Sequence, residues 1–442
     1  MKSIITLLLL LGIVFSPAQS QDNTSAGDTP MSIGQAIRIA LEQNHRIRIA
    51  RVNADIARNN TTRGSAGFLP TLDATGALSL ARSEQETNSP FSFGTSTTGG
   101  GSAQINLNWT IFDGFRMFAE QDRYNELASL GDYQSRALTE QTVVSVVRAY
   151  LQTVQQQQLL GVLRDALGIS RVRYQKAEVR RELGGSATEY LNARIAYNTD
   201  SSTVLGQELA LDIAKRELNL LLGREASEAL LVESEVLLPG YERPLPTLLA
   251  MARERNADLR AAEQTLRVAE SSITVSRSAF FPRLSIFANY GYSDRLVSSN
   301  SPRFDEDIST QSLDGAVGLN LSFNLFNGFR NVVDVQNAEL ERHATALAFD
   351  EARQRIDALV REQHLTLQTR RGIVELEEQN LDAARRNLTL QLERFETGTI
   401  GSLEFRDAQL QLVRAETATI VARFQARIAL LELQRLIGDM TL

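Results

Sequence analysis

The chain has 442 residues, a formal net charge of −7 and no cysteine. An acidic chain without a cluster of basic residues lacks the electrostatic signature of nucleic-acid binding, so DNA and RNA are not expected partners. The lack of cysteine argues against disulfides, thiolate metal sites, a cysteine nucleophile and an N-terminal lipid anchor. The histidines His45, His343 and His364 form no metal-binding motif, so no metal or cofactor is predicted.

The first twenty residues have the features of a secretory signal peptide. Lys2 provides a positive charge, residues 4–14 form an apolar stretch, and Ala18-Gln19-Ser20 is a small-x-small cleavage site. We therefore expect residues 1–20 to be removed and an N-terminal segment, 21–30, to follow. No later segment has eighteen or so consecutive apolar residues, so no membrane-spanning helix is predicted.

The rest of the chain contains the same pair of motifs twice. A Phe-x-Pro or Phe-Leu-Pro motif places Pro70 and Pro282 212 positions apart, and a Phe-Asp/Asn-Gly-Phe-Arg motif places Gly114 and Gly328 214 positions apart. Such constant register over a long span indicates two copies of one structural unit. We assign a first repeat, an inter-repeat linker and a second repeat to residues 31–225, 226–246 and 247–442.

Between these motifs, each repeat has segments in which apolar and small polar residues alternate. The pattern is strict at 103–112 and 317–325 and weaker at 72–80 and 284–293, where Phe287 falls on the polar face. Alternation over about ten residues is typical of tilted membrane β-strands, with apolar side chains toward lipid and amides toward a wet lumen. We predict hairpins at 71–112 and 284–326, with long Ser/Thr/Gly connections. The alternative is a half-buried sheet of a soluble protein.

The helical segments are unusually long. From Arg116 to about Leu183, and from Arg330 to about Glu396, no proline interrupts a pattern of apolar residues three and four apart. At ~1.5 Å per residue, ~67 residues would reach about 100 Å, and the pattern favours an antiparallel coiled coil. Each long helix is expected to reverse into a return helix, and the glycines at the reversals are Gly184, Gly185 and Gly398.

The order of these elements predicts a topology. A helix reaches the membrane at Pro70 or Pro282, a hairpin crosses and returns, and the long helix starts at Gly114 or Gly328, because proline stops a helix and glycine permits a sharp turn. Two repeats give four strands. Four strands cannot close a barrel, and open sheet edges are not tolerated in lipid, so several chains must combine. Three would give twelve strands, although this argument does not fix the number.

These motifs resemble the outer membrane efflux proteins, the TolC-like family, over nearly the whole predicted mature chain. The helix-turn motifs at 187–194 and 394–398 add to the match. The resemblance implies a mainly α fold, in which a homotrimer forms a twelve-stranded β-barrel continued by a coiled-coil α-barrel in the periplasm. It also implies an exit duct in the outer membrane, part of a tripartite efflux or type I secretion system, that docks onto a periplasmic adaptor and an inner-membrane pump of RND, ABC or MFS type.

The resemblance further implies an acidic gate just after the helical reversals. The matching positions are Glu189, Glu404 and Asp407. Glu404 and Asp407 are three residues apart, so they share a helix face, and a ring of such acids would hold cations and repel anions. Taken as residues alone, they are better explained as solvated acids at a helix end, and only the resemblance favours the gate for Glu404 and Asp407.

The chain departs from the best-known relatives at this gate. Ile400 stands where they carry an arginine, and Phe395 where they carry a tyrosine, so two hydrogen-bond donors of the familiar closed state are missing. The first reversal is also longer and contains Arg180 and Arg181. We hypothesise that these arginines replace the missing donors or contact the adaptor.

No catalytic motif is found, so the expected activity is passive conduction driven by the partner pump. The main competing interpretation is an exported coiled-coil scaffold or adhesin without a channel. A periplasmic adaptor fits less well, because adaptors lack two lipid-facing hairpins per chain. The exported substrate is not identified by the sequence.

Overall fold

The computed structural model describes residues 30–84, 95–234, 240–299 and 307–440, so the predicted signal peptide lies outside the described residues. The helices in this part of the chain are α1 (Ile33–Gln43), α2 (His45–Asn59), α3 (Arg116–Glu182), α4 (Ala187–Leu222), α5 (Leu245–Arg255), α6 (Ala257–Arg277), α7 (Arg330–Glu396) and α8 (Ser402–Leu436). The strands are β1 (Thr71–Glu84), β2 (Thr95–Phe112), β3 (Arg283–Ser299) and β4 (Ile308–Ser322).

The two repeats have the same order of elements. Each has two short helices, a β-hairpin, a 67-residue helix and a return helix of 36 or 35 residues. The predicted fold, long antiparallel helices with four strands, is confirmed. Among the described residues, no helix is both long and apolar enough to span a membrane.

Each repeat begins with two helices where the sequence suggested one. Asn44 separates α1 from α2, and its side chain accepts from the backbone N–H of Ile47 (3.2 Å) and donates to the carbonyl of Leu221 (2.7 Å). Asn256 does the same 212 positions later, donating to the carbonyl of Leu436 at 3.0 Å. The break therefore ties the start of each repeat to the end of its own return helix.

The predicted helix leading to the membrane is found in the second repeat only. There α6 and a short 3-10 helix, Ser278–Phe280, run almost to Pro282. In the first repeat α2 ends at Asn59, and turns occupy the stretch up to Pro70. This part of the prediction was wrong because Gly67, at φ +88°, has a backbone conformation incompatible with a continuous helix.

The four strands form one antiparallel sheet in the order β1-β2-β3-β4. Both hairpins have the same register, since Thr71 faces Asn108 and Arg283 faces Ser322, which are shifts of 212 (283 − 71) and 214 (322 − 108). The strands have 14 to 18 residues, so the predicted length of about ten was too short. The described parts of the segments that we expected to be connections, 82–84, 95–101, 294–299 and 308–314, continue the hydrogen-bonded ladder, whereas β4 ends at Ser322, before the predicted limit of 326.

In a single chain both faces of this sheet are open. Leu78, for example, is 92% exposed. Phe287, the exception to the alternation, has a structural reason. Its ring lies beside Gly318, where an added Cβ would be 2.6 Å from the ring, so the aromatic side chain fills the space that glycine leaves.

The buried core lies among the helices. One cluster joins α1, α3, α4 and α8 and includes Val143, Val147, Tyr150 and Val154, the stripe that the helical spacing indicates. A second cluster joins α5, α7 and α8. The core thus holds each long helix against the short helices of its repeat, and leaves the sheet and the far ends of the helices projecting.

Replacing either hinge asparagine by alanine should destabilise the helical part. Asn44→Ala and Asn256→Ala each remove a helix cap and a buried hydrogen bond, for which we expect about 2 kcal/mol of lost unfolding free energy per site. Urea unfolding followed by circular dichroism at 222 nm would measure it. Asn198→Ala, at an exposed position inside α4, is the matched control and should change the free energy by less than ~0.5 kcal/mol. Equal losses of unfolding free energy at all three positions would show that Asn44 and Asn256 do not join the start of each repeat to the end of its return helix.

Candidate functional site: the helical tips

The two reversals, which we call the tips, depend on glycine. At the first tip Gly184 has φ +93°, and the N–H of Gly185 donates to the carbonyl of Arg180 at 2.8 Å. A Cβ on Gly185 would lie 2.7 Å from that oxygen. At the second tip Gly398 has φ +75°, and the N–H of Thr399 donates to the carbonyl of Arg394 at 2.8 Å. Both turns need residues without a Cβ.

Glu404 and Asp407 share an exposed face of α8, as their spacing predicts. Glu404 accepts a hydrogen bond from the N–H of Gly401 at 2.5 Å and so caps the start of α8. Asp407 accepts from the side chain of Gln411 at 2.6 Å. The opposite face of this helix, with Phe405 and Gln409, is buried. The two acids therefore point away from the helices that pack on α8.

Glu189, the third candidate gate acid, is paired within the first tip. Its carboxylate lies 3.0 Å from the Arg180 guanidinium. The Arg181 guanidinium lies 4.1 Å from the centre of the Tyr190 ring, a cation–π distance. Arg180 and Arg181 thus both contact α4, the return helix of their own repeat. They lie in the last turn of α3, and the first reversal, 183–186, is shorter than the second, 397–401, so the expectation of a longer first reversal was wrong because α3 continues through the extra stretch.

Phe395 and Ile400, the two departures from the family, are partly buried at the second tip. The Phe395 ring stacks on Phe405 with centroids 5.1 Å apart and an interplanar angle of 18°. The Ile400 N–H donates to the carbonyl of Arg394 at 3.4 Å. In this tip the aromatic ring therefore packs α7 against α8, and a tyrosine hydroxyl is not needed for that contact.

Sequence analysis missed a polar network that joins the two repeats near the tips. Arg406 of α8 makes two bonds to the Asp200 carboxylate of α4, at 2.6 and 2.7 Å, and one to the Ser170 hydroxyl of α3, at 3.0 Å. The two charged side chains are only 16% and 14% exposed. Gln409 adds a bond to the carbonyl of Ala166 at 3.0 Å. We call these contacts the inter-repeat clamp.

Arg173 extends the clamp toward the start of α8. It donates to the carbonyl of Ser402 at 2.9 Å, and its guanidinium lies 5.5 Å from the centre of the Phe405 ring. Burial, followed by the nearby charge of Arg406, lowers the pKa of Arg173. Beside it, hydrogen bonds with Tyr190 and Glu178 raise the pKa of Tyr174 to about 12. No single motif marks these residues in the sequence.

At the opposite end of the long helices, the four predicted junction residues lie where the strands meet the helical part. Gly114 and Gly328 have φ +73° and +71°, and each is followed by a phenylalanine that also has positive φ. A Cβ on Gly114 would lie 2.5 Å from the carbonyl of Ser278, whereas a Cβ on Gly328 would have no described atom within 4 Å apart from those of its two chain neighbours. Pro70 and Pro282 directly precede β1 and β3.

The described residues include no group of three or more His, Asp or Glu side chains placed to hold a metal ion. A groove of about 680 Å³ lies between the tips of α3, α7 and α8, and it is lined by apolar and basic side chains, among them Ile169, Val172, Lys176 and Leu392, together with the acids Asp165 and Glu396. The tips therefore offer exposed acids, a mixed groove and a buried clamp.

A family model described as outer membrane efflux protein matches residues 36–224 and 248–439, one match for each repeat. The chain belongs to this family. It is a channel protein of the outer membrane, and its helices and strands are those of an efflux channel. The family match also decides against the exported scaffold or adhesin.

Individual relatives match over most of their length. The chain is 21% identical to outer membrane protein TolC of Vibrio cholerae, over 91% of this chain and 89% of that protein. It is 25% identical to outer membrane protein OprJ of Pseudomonas aeruginosa, over 91% and 83%. The crystal structure of the Campylobacter jejuni CmeC outer membrane channel superposes with a TM-score of 0.77 at 15% identity, over 97% of this chain and 93% of that chain.

Adding a side chain at Gly184 should destabilise the backbone turn of the first tip. Gly184→Ala forces alanine to positive φ, which costs about 1–2 kcal/mol, so amides of the tip should exchange with deuterium several-fold faster. Gly161→Ala, in open space inside α3, is the matched control and should not speed exchange at the tip, since alanine is the better helix former. Unchanged exchange in Gly184→Ala would show that the tip does not depend on this conformation.

Proposed function

We propose that three copies of this chain close a twelve-stranded barrel and a helical tunnel, and that this channel conducts substrates delivered by an inner-membrane pump through a periplasmic adaptor. Acidic side chains at the tips are proposed to form the gate. The free edges of the sheet carry this proposal. Strands β1 and β4 form the two edges, and within the described residues neither has a further partner. In lipid such edges must be paired.

The tandem repeat supplies the geometry of that pairing. Within the chain, β2 of the first repeat pairs with β3 of the second, so that Ile105 faces Tyr290. Shifting Ile105 by 214 and Tyr290 by −212 gives Leu319 of β4 and Leu78 of β1. These two leucines are highly exposed in one chain. We infer that β4 of one copy pairs with β1 of the next, with Leu319 opposite Leu78.

The helices support the same arrangement. Gln264 of α6 contacts Glu126 of α3, a contact between repeats within the chain. The equivalent positions are Val52 (264 − 212) and Leu340 (126 + 214), which are 56% and 67% exposed. Two exposed apolar residues at the place where the repeats touch within the chain favour contact between copies, because burial stabilises them by about 25 cal/mol per Å².

The junction glycines agree with this interface. Gly114 packs against Ser278 and Phe281 of the second repeat, and the equivalent partners of Gly328 are Ala66 and Leu69. Since no described residue apart from its two chain neighbours packs against Gly328, we place these partners in the next copy. The proposed number of copies comes from the resemblance to the family, and three copies would supply twelve strands.

The gate is proposed to consist of Glu404 and Asp407, with Glu189 beside them. Their shared, exposed face of α8 supports a position on the bore of a closed assembly. Glu189 is already neutralised by Arg180, so its contribution to selectivity should be smaller. Arg181 and the groove between the tips, which is partly basic and partly apolar, are candidates for contact with the adaptor. The pump is proposed to be of RND, ABC or MFS type.

A cysteine pair tests the proposed interface directly. The chain has no native cysteine, so Leu78→Cys with Leu319→Cys should form disulfides only between copies, because directly opposed residues on neighbouring strands have Cβ atoms about 4.5–5.5 Å apart. Under oxidation, denaturing gels should show covalent dimers and trimers and no larger species.

The matched control is Leu78→Cys with Asn320→Cys. Position 320 is adjacent to 319 but faces the other side of the sheet, so this pair should remain uncrosslinked. Efficient cross-linking of the control, or only the uncrosslinked monomer band in both variants, would contradict the proposed register.

Neutralising the gate should reduce ion selectivity. In planar bilayers under a KCl gradient, the unmodified channel should be cation-selective, and Glu404→Gln with Asp407→Asn should shift the reversal potential toward zero because six carboxylates per trimer are lost. Asp350→Asn with Glu351→Gln, on the membrane-proximal third of α7, is the control and should leave the potential almost unchanged. An unshifted potential in the gate variant would show that these acids do not line the bore.

A further inference from the structure

The tip of α8 carries the candidate gate acids on one face and the inter-repeat clamp on the other. Glu404 and Asp407 lie on either side of Arg406 in the sequence, yet they are exposed while Arg406 is largely covered. The rotation of α8 about its axis therefore decides where the acids point. Whatever fixes that rotation also fixes the gate.

The geometry of the clamp restrains the rotation of α8 about its axis. Arg406 binds both oxygens of Asp200, and such a two-point contact restrains direction as well as distance. Ser170 and Gln409 hold the same guanidinium, at 3.0 and 3.2 Å. Ser170 lies on α3 and Asp200 lies on α4, so these contacts hold α8 to both of those helices.

The clamp occurs at only one of two equivalent contacts. The return helices α4 and α8 start at Ala187 and Ser402, 215 positions apart. Shifting Ser170, Asp200 and Arg406 to the other repeat therefore gives Ala384 (170 + 214), Ala415 (200 + 215) and Leu191 (406 − 215). All three are apolar, so the proposed contact between copies lacks the Arg–Asp pair, although the position equivalent to Gln409 is Arg194 (409 − 215). The clamp is thus a property of the single chain and is not required by the repeat itself.

We propose that Arg406 is the positioning residue of the gate. Through Asp200 it fixes the first turns of α8 so that Glu404 and Asp407 face the axis of the assembly, and it restrains the tip at rest. This inference rests on the proposed trimeric channel. It assigns to Arg406 the restraining role that the sequence suggested for Arg180 and Arg181, whose described contacts lie within the first repeat.

Single-channel recording on a double-mutant cycle tests the proposal. Arg406→Ala and Asp200→Ala should each raise the resting conductance several-fold and lower cation selectivity, although both leave Glu404 and Asp407 intact. The double variant should differ little from either single variant, because each removes the same contact. Exchanging the charges, Arg406→Asp with Asp200→Arg, should restore most of the original behaviour.

Arg148→Ala is the matched control. It breaks another ion pair between α3 and α8, with Glu432, far from the tip, and should leave conductance and selectivity unchanged. Native gels verify that each variant assembles, and Asp200→Asn replaces the alanine variant if that one does not. A conducting trimer whose clamp variants behave like the unmodified chain, or show additive effects, overturns the inference alone. If the unmodified chain forms no conducting trimer, the proposed function fails and this inference fails with it.

Discussion

A strand edge exposed to lipid leaves backbone N–H and carbonyl groups without hydrogen bonds, and each such group costs several kcal/mol. One copy of this chain has two such edges, β1 and β4. The remaining features of the structure fit this constraint. The repeat, which places β2 beside β3 within the chain, provides an equivalent contact for β4 and β1 of neighbouring copies, so that the same geometry can close the ring.

The two kinds of contact differ in chemistry. Within the chain, polar and charged pairs connect the repeats, such as Arg148 with Glu432 and Arg406 with Asp200. At the proposed contact between copies some equivalent positions are apolar, as with Val52 and Leu340, whereas the equivalents of Arg148 and Glu432 are the like-charged Glu362 (148 + 214) and Glu217 (432 − 215). Charged pairs with two-point geometry fix direction, whereas apolar contacts allow sliding with little change in energy. A channel that opens by movement of its tips would use both, the first kind to keep the gate acids oriented and the second to let the copies move.

The sequence predicted what depends on local pattern. Strict alternation located the strands, uninterrupted helical spacing located α3 and α7, and a separation of three residues placed Glu404 and Asp407 on one face. Features that depend on distant partners were missed. Asn44 looks like an ordinary polar residue until the carbonyl of Leu221 is beside it. Asp200 and Arg406 are 206 positions apart, and only the packing of α3 against both α4 and α8 brings them together.

The central claim is that the edge of one copy pairs with the next copy in the register of the repeat. A cryo-electron microscopy map of the purified protein in lipid nanodiscs would test it most directly. The account predicts three copies around one axis, a closed sheet of twelve strands, and Leu319 opposite Leu78 at each junction between copies. A map with open four-stranded sheets, or with β4 and β1 joined in another register, would contradict it.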